Sequence, residues 1–268
     1  MIDYHVHERH SRDTSSATVE NYVRAAEERG IDEVAFTTHL ITAGPDVDIG
    51  IRLHEIPEYL EEIQRAQETT KVRLLAGLEV DYFPQEERRL ERILGEHSLD
   101  IVLGSTHYVN GVDIGSRRQV EEFFAGRPIS EGADEYYAVW RRAIESGLFD
   151  VMAHPDYWRK YIHIFRQPVG WDDFGSVVYD CLDSLVSHGV GVEVNTSGYR
   201  HGVGGNFPLQ QFLDAAYKAG VRTVTVGSDS HTPSQLGYRL VEAVEQLRRA
   251  GYSTLSSFRR RKNHTIPM

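Results

Sequence analysis

Six of the thirteen histidines in this chain, together with three carboxylates, lie where short apolar runs end. They fall in the segments Asp3-Tyr4-His5-Val6-His7, Thr38-His39, Gly77-Leu78-Glu79, Ser105-Thr106-His107, Ala153-His154-Pro155 and Gly227-Ser228-Asp229-Ser230-His231. Neutral imidazole and carboxylate are ligands that Zn²⁺, Mn²⁺ and Fe²⁺ share. The pattern predicts a hydrolase that gathers several metal ions in one pocket.

The first and last of these segments share one spacing. His5 and His7 are two residues apart on a predicted strand, so both side chains project to one face, roughly 6–7 Å apart. Asp229 and His231 repeat that spacing at the end of the last predicted strand. Glu79 closes the apolar run 74–78, where a charge is costly unless it is paired or coordinated. Its two oxygens can bridge two ions, so we expect Glu79 at the centre of the site.

Three further histidines each end a separate apolar run. His39, His107 and His154 follow the runs 34–38, 101–106 and 151–153. A single histidine in such a place is more often a core residue, but three at equivalent positions indicate a common site.

The elements that must position these residues alternate along the chain. Short β-type runs are predicted at 2–6, 33–38, 73–80, 100–106, 149–153, 190–195 and 222–227. Amphipathic helices are predicted at 18–29, 56–68, 86–96, 132–146, 174–188, 208–219 and 234–250. Seven strand–helix pairs predict a parallel sheet covered by helices, and closure into a barrel removes its edges. We therefore expect one α/β domain spanning residues 1–268.

The longer predicted loops lie at 40–55, 108–131, 155–173 and 196–207, after strands that end in His39, His107, His154 and Asn195. In α/β barrels the active site lies at the carboxyl ends of the strands, where such loops begin. The loops and the ligand-type residues are thus predicted to share one face.

Composition excludes several other classes of protein. The net charge is -11, which disfavours nucleic acid and anionic membranes as partners. Cys181 is the only cysteine, so no intramolecular disulfide and no thiolate metal cluster can form. No signal peptide or membrane span is visible, and we expect a cytoplasmic protein; no feature sets the oligomeric state. The run Arg259-Arg260-Arg261-Lys262 is interpreted as a solvated or acid-paired terminus.

On these motifs the chain resembles the PHP family, named for polymerase and histidinol phosphatase domains. The resemblance runs from Asp3 to about Lys262. Asn195-Thr196-Ser197-Gly198-Tyr199-Arg200 and Arg159-Lys160-Tyr161 favour the histidinol-phosphate branch of that family. It implies a distorted seven-stranded (β/α)7 barrel with two or three divalent ions, and histidine–carboxylate sites accept Zn²⁺, Mn²⁺ or Fe²⁺.

The resemblance also implies a role for each site residue. One ion is expected on His5, His7, Glu79 and Asp229, a second on Glu79, His107 and His154, and a third on Asp13, His39 and His231. Glu79, Asp229 and His231 are expected to act in catalysis, Arg159 and Arg200 to clasp a phosphate, and Asn195 to orient groups beside the centre. His10 is an alternative to Asp13. The family usually has an aspartate where this chain has Thr38.

These features predict a metal-dependent phosphomonoester hydrolase, with a small phosphorylated substrate attacked by a metal-bridging hydroxide. L-Histidinol phosphate is the substrate that the resemblance implies. Alternatives are a PHP phosphoesterase acting on nucleotides or another small phosphomonoester, an amidohydrolase-type barrel, and a binding module with structural metals. Amidohydrolases bridge their ions with a lysine at a strand end, a position that no lysine of this chain takes. The group that protonates the leaving alcohol is not identifiable from the sequence.

Overall fold

A computed structural model gives the fold of the chain and describes residues 1–14, 17–165 and 169–268. Within them the strands are β1 (Ile2–Val6), β2 (Glu33–Leu40), β3 (Arg73–Asp81), β4 (Ile101–Ser105), β5 (Tyr108–Val109), β6 (Val112–Asp113), β7 (Val151–Met152), β8 (Gly191–Asn195), β9 (Val224–Gly227), β10 (Thr254–Arg259) and β11 (Lys262–Pro267). Seven of them form one parallel sheet in the order β1-β2-β3-β4-β7-β8-β9. This is the predicted α/β architecture.

The helices in the same residues are α1 (Val19–Arg29), α2 (Ile56–Gln67), α3 (Glu87–Gly95), α4 (Arg117–Phe124), α5 (Ile129–Glu145), α6 (Val177–His188), α7 (Ser197–Arg200), α8 (Gln210–Ala219) and α9 (Leu240–Ala250). Seven of these match the predicted helices, with ends shifted by up to six residues. The short helices α4 and α7 lie in predicted loops. No helix of the described chain is long and apolar enough to cross a bilayer.

The sheet closes between its first and last strands. The backbone N–H of His7 donates to the carbonyl of Ser230 over 2.8 Å, and the Ser230 N–H donates to the carbonyl of His5 over 3.1 Å. The carboxylate of Asp3, a buried residue of β1, accepts a hydrogen bond of 2.8 Å from the backbone N–H of Ser228. These contacts bring the first and last motifs together, as barrel closure predicts.

Apolar strands line the barrel, and the register between neighbouring strands positions the ligand-type residues. β2 and β3 pair so that His39 lies directly opposite Glu79. The Tyr59 hydroxyl, from α2, lies 2.8 Å from the carbonyl oxygens of both Phe36 and Gly77, with one proton for the two, and ties the helix to both strands. The sheet thus holds two ligand-type side chains side by side at its carboxyl edge.

The loops after the strands carry more structure than predicted. The predicted loop 108–131 contains the β5–β6 hairpin and α4, and the predicted strand at 149–153 shortens to β7. The predicted loop 155–173 contains 3₁₀ turns at Tyr157–Ile164 and Trp171–Phe174. Residues 166–168 of that loop lie outside the described chain.

An antiparallel hairpin, β10–β11, covers the opposite end of the barrel and was not predicted. Its turn is Arg260-Arg261, both with positive φ. Arg261 bonds Asp150 at 3.0 Å through Nε and the Leu148 carbonyl at 2.7 Å through Nη2, and Asp100 accepts from the Arg260 N–H. The basic run is therefore acid-paired at Arg261 and belongs to a strand turn.

Candidate metal centre

Glu79 lies at the middle of the predicted cluster. Its carboxylate is 1% exposed, and the side chain projects from β3 into the mouth of the barrel. Five histidine nitrogens approach its two oxygens. Oε2 lies 3.2 Å from His5 Nε2, 3.5 Å from His7 Nε2 and 2.9 Å from His39 Nδ1. Oε1 lies 2.9 Å from His154 Nε2 and 3.8 Å from His107 Nε2.

Asp229 faces the same space from the end of β9. Its Oδ1 lies 3.4 Å from His7 Nε2, 3.8 Å from His5 Nε2 and 3.5 Å from His231 Nδ1. Asp229 has φ +54° and His154 has φ +25°. Non-glycine residues take such values at a cost of about 1–3 kcal/mol, and they do so most often at functional sites. Tertiary contacts therefore hold both side chains in the cluster against local backbone preference.

A third group lies at the outer edge of the cluster. Asp13 Oδ2 is 3.0 Å from His231 Nε2 and 3.6 Å from His39 Nε2. His10 lies elsewhere: its Nδ1 is 2.9 Å from Glu8 Oε2, and its ring packs edge-on against Tyr59. Asp13, and not His10, therefore joins His39 and His231.

Several buried atoms of the cluster have no hydrogen-bond partner within the described residues. They include His5 Nε2, His7 Nε2 and Glu79 Oε2: the nitrogens near Oε2 are within ion-pair distance, but none is aligned for a hydrogen bond to it. A buried unsatisfied polar atom is costly, and a divalent cation would satisfy all three at once. His5–His7–Asp229, His5–Glu79–His154 and His7–His39–His231 each bring three ligand atoms within 4.8 Å of one another. The donor set fits Zn²⁺ or a similar ion.

Burial and the neighbouring charges shift the pKa values of the carboxylate and imidazole groups in the cluster. Burial raises the pKa of Glu79, but the charges of His5 and His39 outweigh it and hold that pKa well below its usual range. Burial lowers the pKa of His39, but Glu79 and Asp13 outweigh burial and raise it to about 10. Burial, with His39 and His231 nearby, lowers the pKa of His7 to about 3. The His7 imidazole is therefore neutral, which is the form that binds a metal ion.

Buried partners behind the cluster fix the orientation of its rings. Glu193 Oε1 lies 2.9 Å from His5 Nδ1, and Glu193 Oε2 accepts from the His154 backbone N–H over 3.0 Å. Asp81 Oδ1 lies 2.7 Å from His107 Nδ1. Gly227 makes room for this packing, because a Cβ there would overlap Glu193 Oε1 and lie 2.5 Å from His5 Cβ. Our sequence analysis missed Glu193 and Asp81, although a charge inside or ending an apolar strand was the available signal.

Ser11 and Thr38 form a pair of buried hydroxyls behind the cluster. Ser11 Oγ lies 2.5 Å from Thr38 Oγ1 and 3.2 Å from His7 Nδ1, and it accepts from the His39 backbone N–H over 3.0 Å. Neutral hydroxyls therefore support the neighbouring histidines here.

A cavity of about 430 Å³ opens in front of the cluster. Arg200 and Lys160 are the arginine and the lysine on its wall within the described chain. Arg200 Nη2 donates to the carbonyl of Asp229 over 2.6 Å, while its Nη1 is buried without a partner in the described residues. Arg200 therefore holds a cationic guanidinium at the cavity wall beside Asp229.

Two predicted substrate contacts do not reach this cavity. Arg159 is buried and paired with Asp156, and it lines a separate cavity. Asn195 lies behind His5, where its Nδ2 donates to Glu193 Oε2 over 3.0 Å. Arg159 therefore lies away from the expected phosphate position. Asn195 lies where it can orient the Glu193 carboxylate behind His5.

Comparison with known proteins agrees with this geometry. The chain matches the PHP domain over residues 3–197 and belongs to the PHP family. It is 32% identical to a probable histidinol-phosphatase from Deinococcus radiodurans, over 92% of this chain and 93% of that protein. It is 24% identical to a histidinol-phosphatase from Lactococcus lactis, over 96% and 94%.

The fold also has a close counterpart among solved structures. The histidinol phosphate phosphatase of Lactococcus lactis, solved with zinc, L-histidinol and phosphate, aligns with a TM-score of 0.81 at 20% identity and covers 98% of both chains. The predicted family and the PHP-type barrel are thereby confirmed.

Proposed function

We propose that this protein is a metal-dependent histidinol-phosphate phosphatase, which hydrolyses L-histidinol phosphate to L-histidinol and phosphate. The observation that carries the proposal is the convergence of five histidine nitrogens on the Glu79 carboxylate beside a cavity that Arg200 lines. The choice of substrate rests on relatives that match more than nine-tenths of this chain.

The proposed centre holds two or three divalent ions, with zinc favoured because a relative of the same fold binds it. The ligand sets are His5, His7, Glu79 and Asp229 for the first ion, Glu79, His107 and His154 for the second, and Asp13, His39 and His231 for the third. A ligand atom of His7 also lies within 4.8 Å of those of His39 and His231, so His7 is close to the third set as well. Glu79 is the shared ligand of the first and second sets.

Bound divalent ions would neutralise charge on the phosphoryl oxygens and supply a nucleophile from water at neutral pH. The chain's own part is to bind and orient the ester. Arg200 lines the cavity, and its Nη2 bond to the Asp229 carbonyl holds the guanidinium beside the cluster. A planar guanidinium suits a phosphate because it can donate from two nitrogens.

The test is a phosphatase screen on protein stripped of metal and then loaded with Zn²⁺ or Mn²⁺. The substrates are L-histidinol phosphate, glycerol phosphate, nucleoside monophosphates and a short oligonucleotide. We expect the highest kcat/KM with L-histidinol phosphate, and loss of both metal and turnover in Glu79→Gln.

Glu33→Gln is the matched control, because Glu33 is also buried but pairs with Arg73 at 2.6 Å at the start of β2, away from the cluster. A higher kcat/KM with a nucleotide would refute the proposed substrate. Full metal content and full turnover in Glu79→Gln would refute the proposed centre.

A further inference from the structure

Hydrolysis of an alkyl phosphate requires a proton for the leaving alcohol. When the bridging P–O bond breaks, its electron pair stays on the alcohol oxygen, and an unprotonated alkoxide is a poor leaving group. General acids that supply such a proton accelerate reactions by about 10²–10⁴-fold. The donor must lie on the cavity wall and must be able to lose its proton.

Lys160 lies on that wall, and an ammonium, unlike a guanidinium, is a group that can give up a proton. It lines the cavity, and its Nζ lies 2.7 Å from the Tyr157 hydroxyl. The Tyr157 ring packs against His154 and His107, with centroid separations of 4.5 Å and 4.8 Å. The ammonium is therefore held at the side of the cavity formed by His107 and His154, while Arg200 occupies the side of Asp229.

Other proton-bearing groups of the described cavity wall are less suited. Arg200 does not release its proton near neutral pH. Burial raises the pKa of both Tyr157 and Tyr108, and the Tyr108 hydroxyl is bonded to Asp46. Burial, with the charges of Lys160 and Arg200, lowers the pKa of His201 to about 4, so His201 carries no spare proton at neutral pH.

A carboxyl group of this wall is a further rival. Burial raises the pKa of Asp113, which would favour a protonated acid. However, Asp113 Oδ1 accepts hydrogen bonds from the backbone N–H groups of Gly115 at 2.7 Å and Ser116 at 3.1 Å. An oxygen that accepts two bonds favours the ionised form, so Asp113 is the second choice and serves as the comparison variant.

We propose that Lys160 is the general acid of this site and donates a proton from Nζ to the bridging oxygen of the substrate. The inference rests on the proposed phosphatase function. Oxygen from water bonds to phosphorus as the bridging P–O bond breaks, and the alcohol leaves with the proton from Lys160. The neutral amine then regains a proton from solvent, and the attacking water releases one, so no other reactant is consumed.

The test compares two leaving groups in the metal-loaded enzyme. p-Nitrophenolate is stable without a proton, whereas the histidinol alkoxide is not. We expect Lys160→Met to lower kcat for L-histidinol phosphate by about 10²–10⁴-fold and to change kcat for p-nitrophenyl phosphate by less than about threefold. Lys160→Arg should give the same pattern, because a guanidinium keeps the charge but does not release its proton. Calorimetry should show unchanged affinity for inorganic phosphate in both variants.

Lys218→Met, on the exposed side of α8, is the control and should match the wild type. Three results would each overturn the inference. The first is an equal loss of kcat on L-histidinol phosphate and p-nitrophenyl phosphate, and the second is a recovered rate on L-histidinol phosphate in Lys160→Arg. The third is the same leaving-group pattern in Asp113→Asn. A wild type that prefers another alkyl phosphate would refute only the proposed substrate, and the same comparison would then use that ester. A protein that hydrolyses no phosphomonoester would refute both proposals.

Discussion

Replacing Glu193 by glutamine tests whether the buried groups behind the cluster set its affinity for metal. Glu193 is fully buried in β8 and contacts three nitrogens: His5 Nδ1 at 2.9 Å, the His154 backbone N at 3.0 Å and Asn195 Nδ2 at 3.0 Å. With a carboxylate at this place, His5 Nδ1 carries the proton, which leaves His5 Nε2 free to bind an ion.

Glutamine can satisfy only part of this arrangement. If its NH₂ faces His5, the proton of that ring must move to Nε2, the atom that faces Glu79. If its oxygen faces His5, its NH₂ group faces the His154 N–H and the Asn195 amide, which are themselves donors, so these hydrogen bonds are lost. Loss of such a partner costs about 10–100-fold in metal affinity, which corresponds to about 1.4–2.8 kcal/mol.

The assay is a competition between the protein and a chromophoric chelator for Zn²⁺. Glu33→Gln is again the matched control, because it removes a buried carboxylate without touching a candidate ligand. We expect weaker zinc binding in Glu193→Gln only. Wild-type zinc affinity in Glu193→Gln would refute the reasoning that His5 depends on this carboxylate.

Three further predictions concern the same cluster. Gly227→Ala should lower metal affinity as well as stability, because its methyl group would displace Glu193; a folded variant with wild-type zinc content would contradict this. Zinc should bind more tightly at about pH 8 than at about pH 6, because the ion must displace the proton that the raised pKa of about 10 keeps on His39. Binding should therefore release protons, which calorimetry in two buffers measures. Equal zinc affinities at the two pH values would count against this prediction. Asp13→Asn should weaken one ion per chain while His10→Asn leaves the metal content unchanged, as measured by elemental analysis, and the reverse result would exchange their roles.

The sequence was most informative where a strand brings a residue into the site. His39 and Glu79 end apolar runs, and parallel strands present such ends at one edge of the sheet, so their meeting was predictable. Barrel closure then predicted that Asp229 would lie near His5 and His7. These inferences needed only strand periodicity and the direction of the chain.

Loops and tertiary packing were less predictable. Arg159 and Lys160 are adjacent in a loop without periodicity, so nothing in the sequence showed which of them faces the cavity. The β10–β11 hairpin was missed because Arg260-Arg261 adopts positive φ without glycine or asparagine, and contacts with Asp100 and Asp150 stabilise it from elsewhere in the chain. Such contacts depend on the folded barrel.

Anomalous diffraction from crystals grown with Zn²⁺ tests the central claim most directly. The account predicts adjacent zinc peaks in the barrel mouth, about 2.0–2.2 Å from nitrogen and oxygen atoms of His5, Glu79, His154 and Asp229. Zinc found only at surface sites, with these four side chains bonded to one another instead, would contradict it.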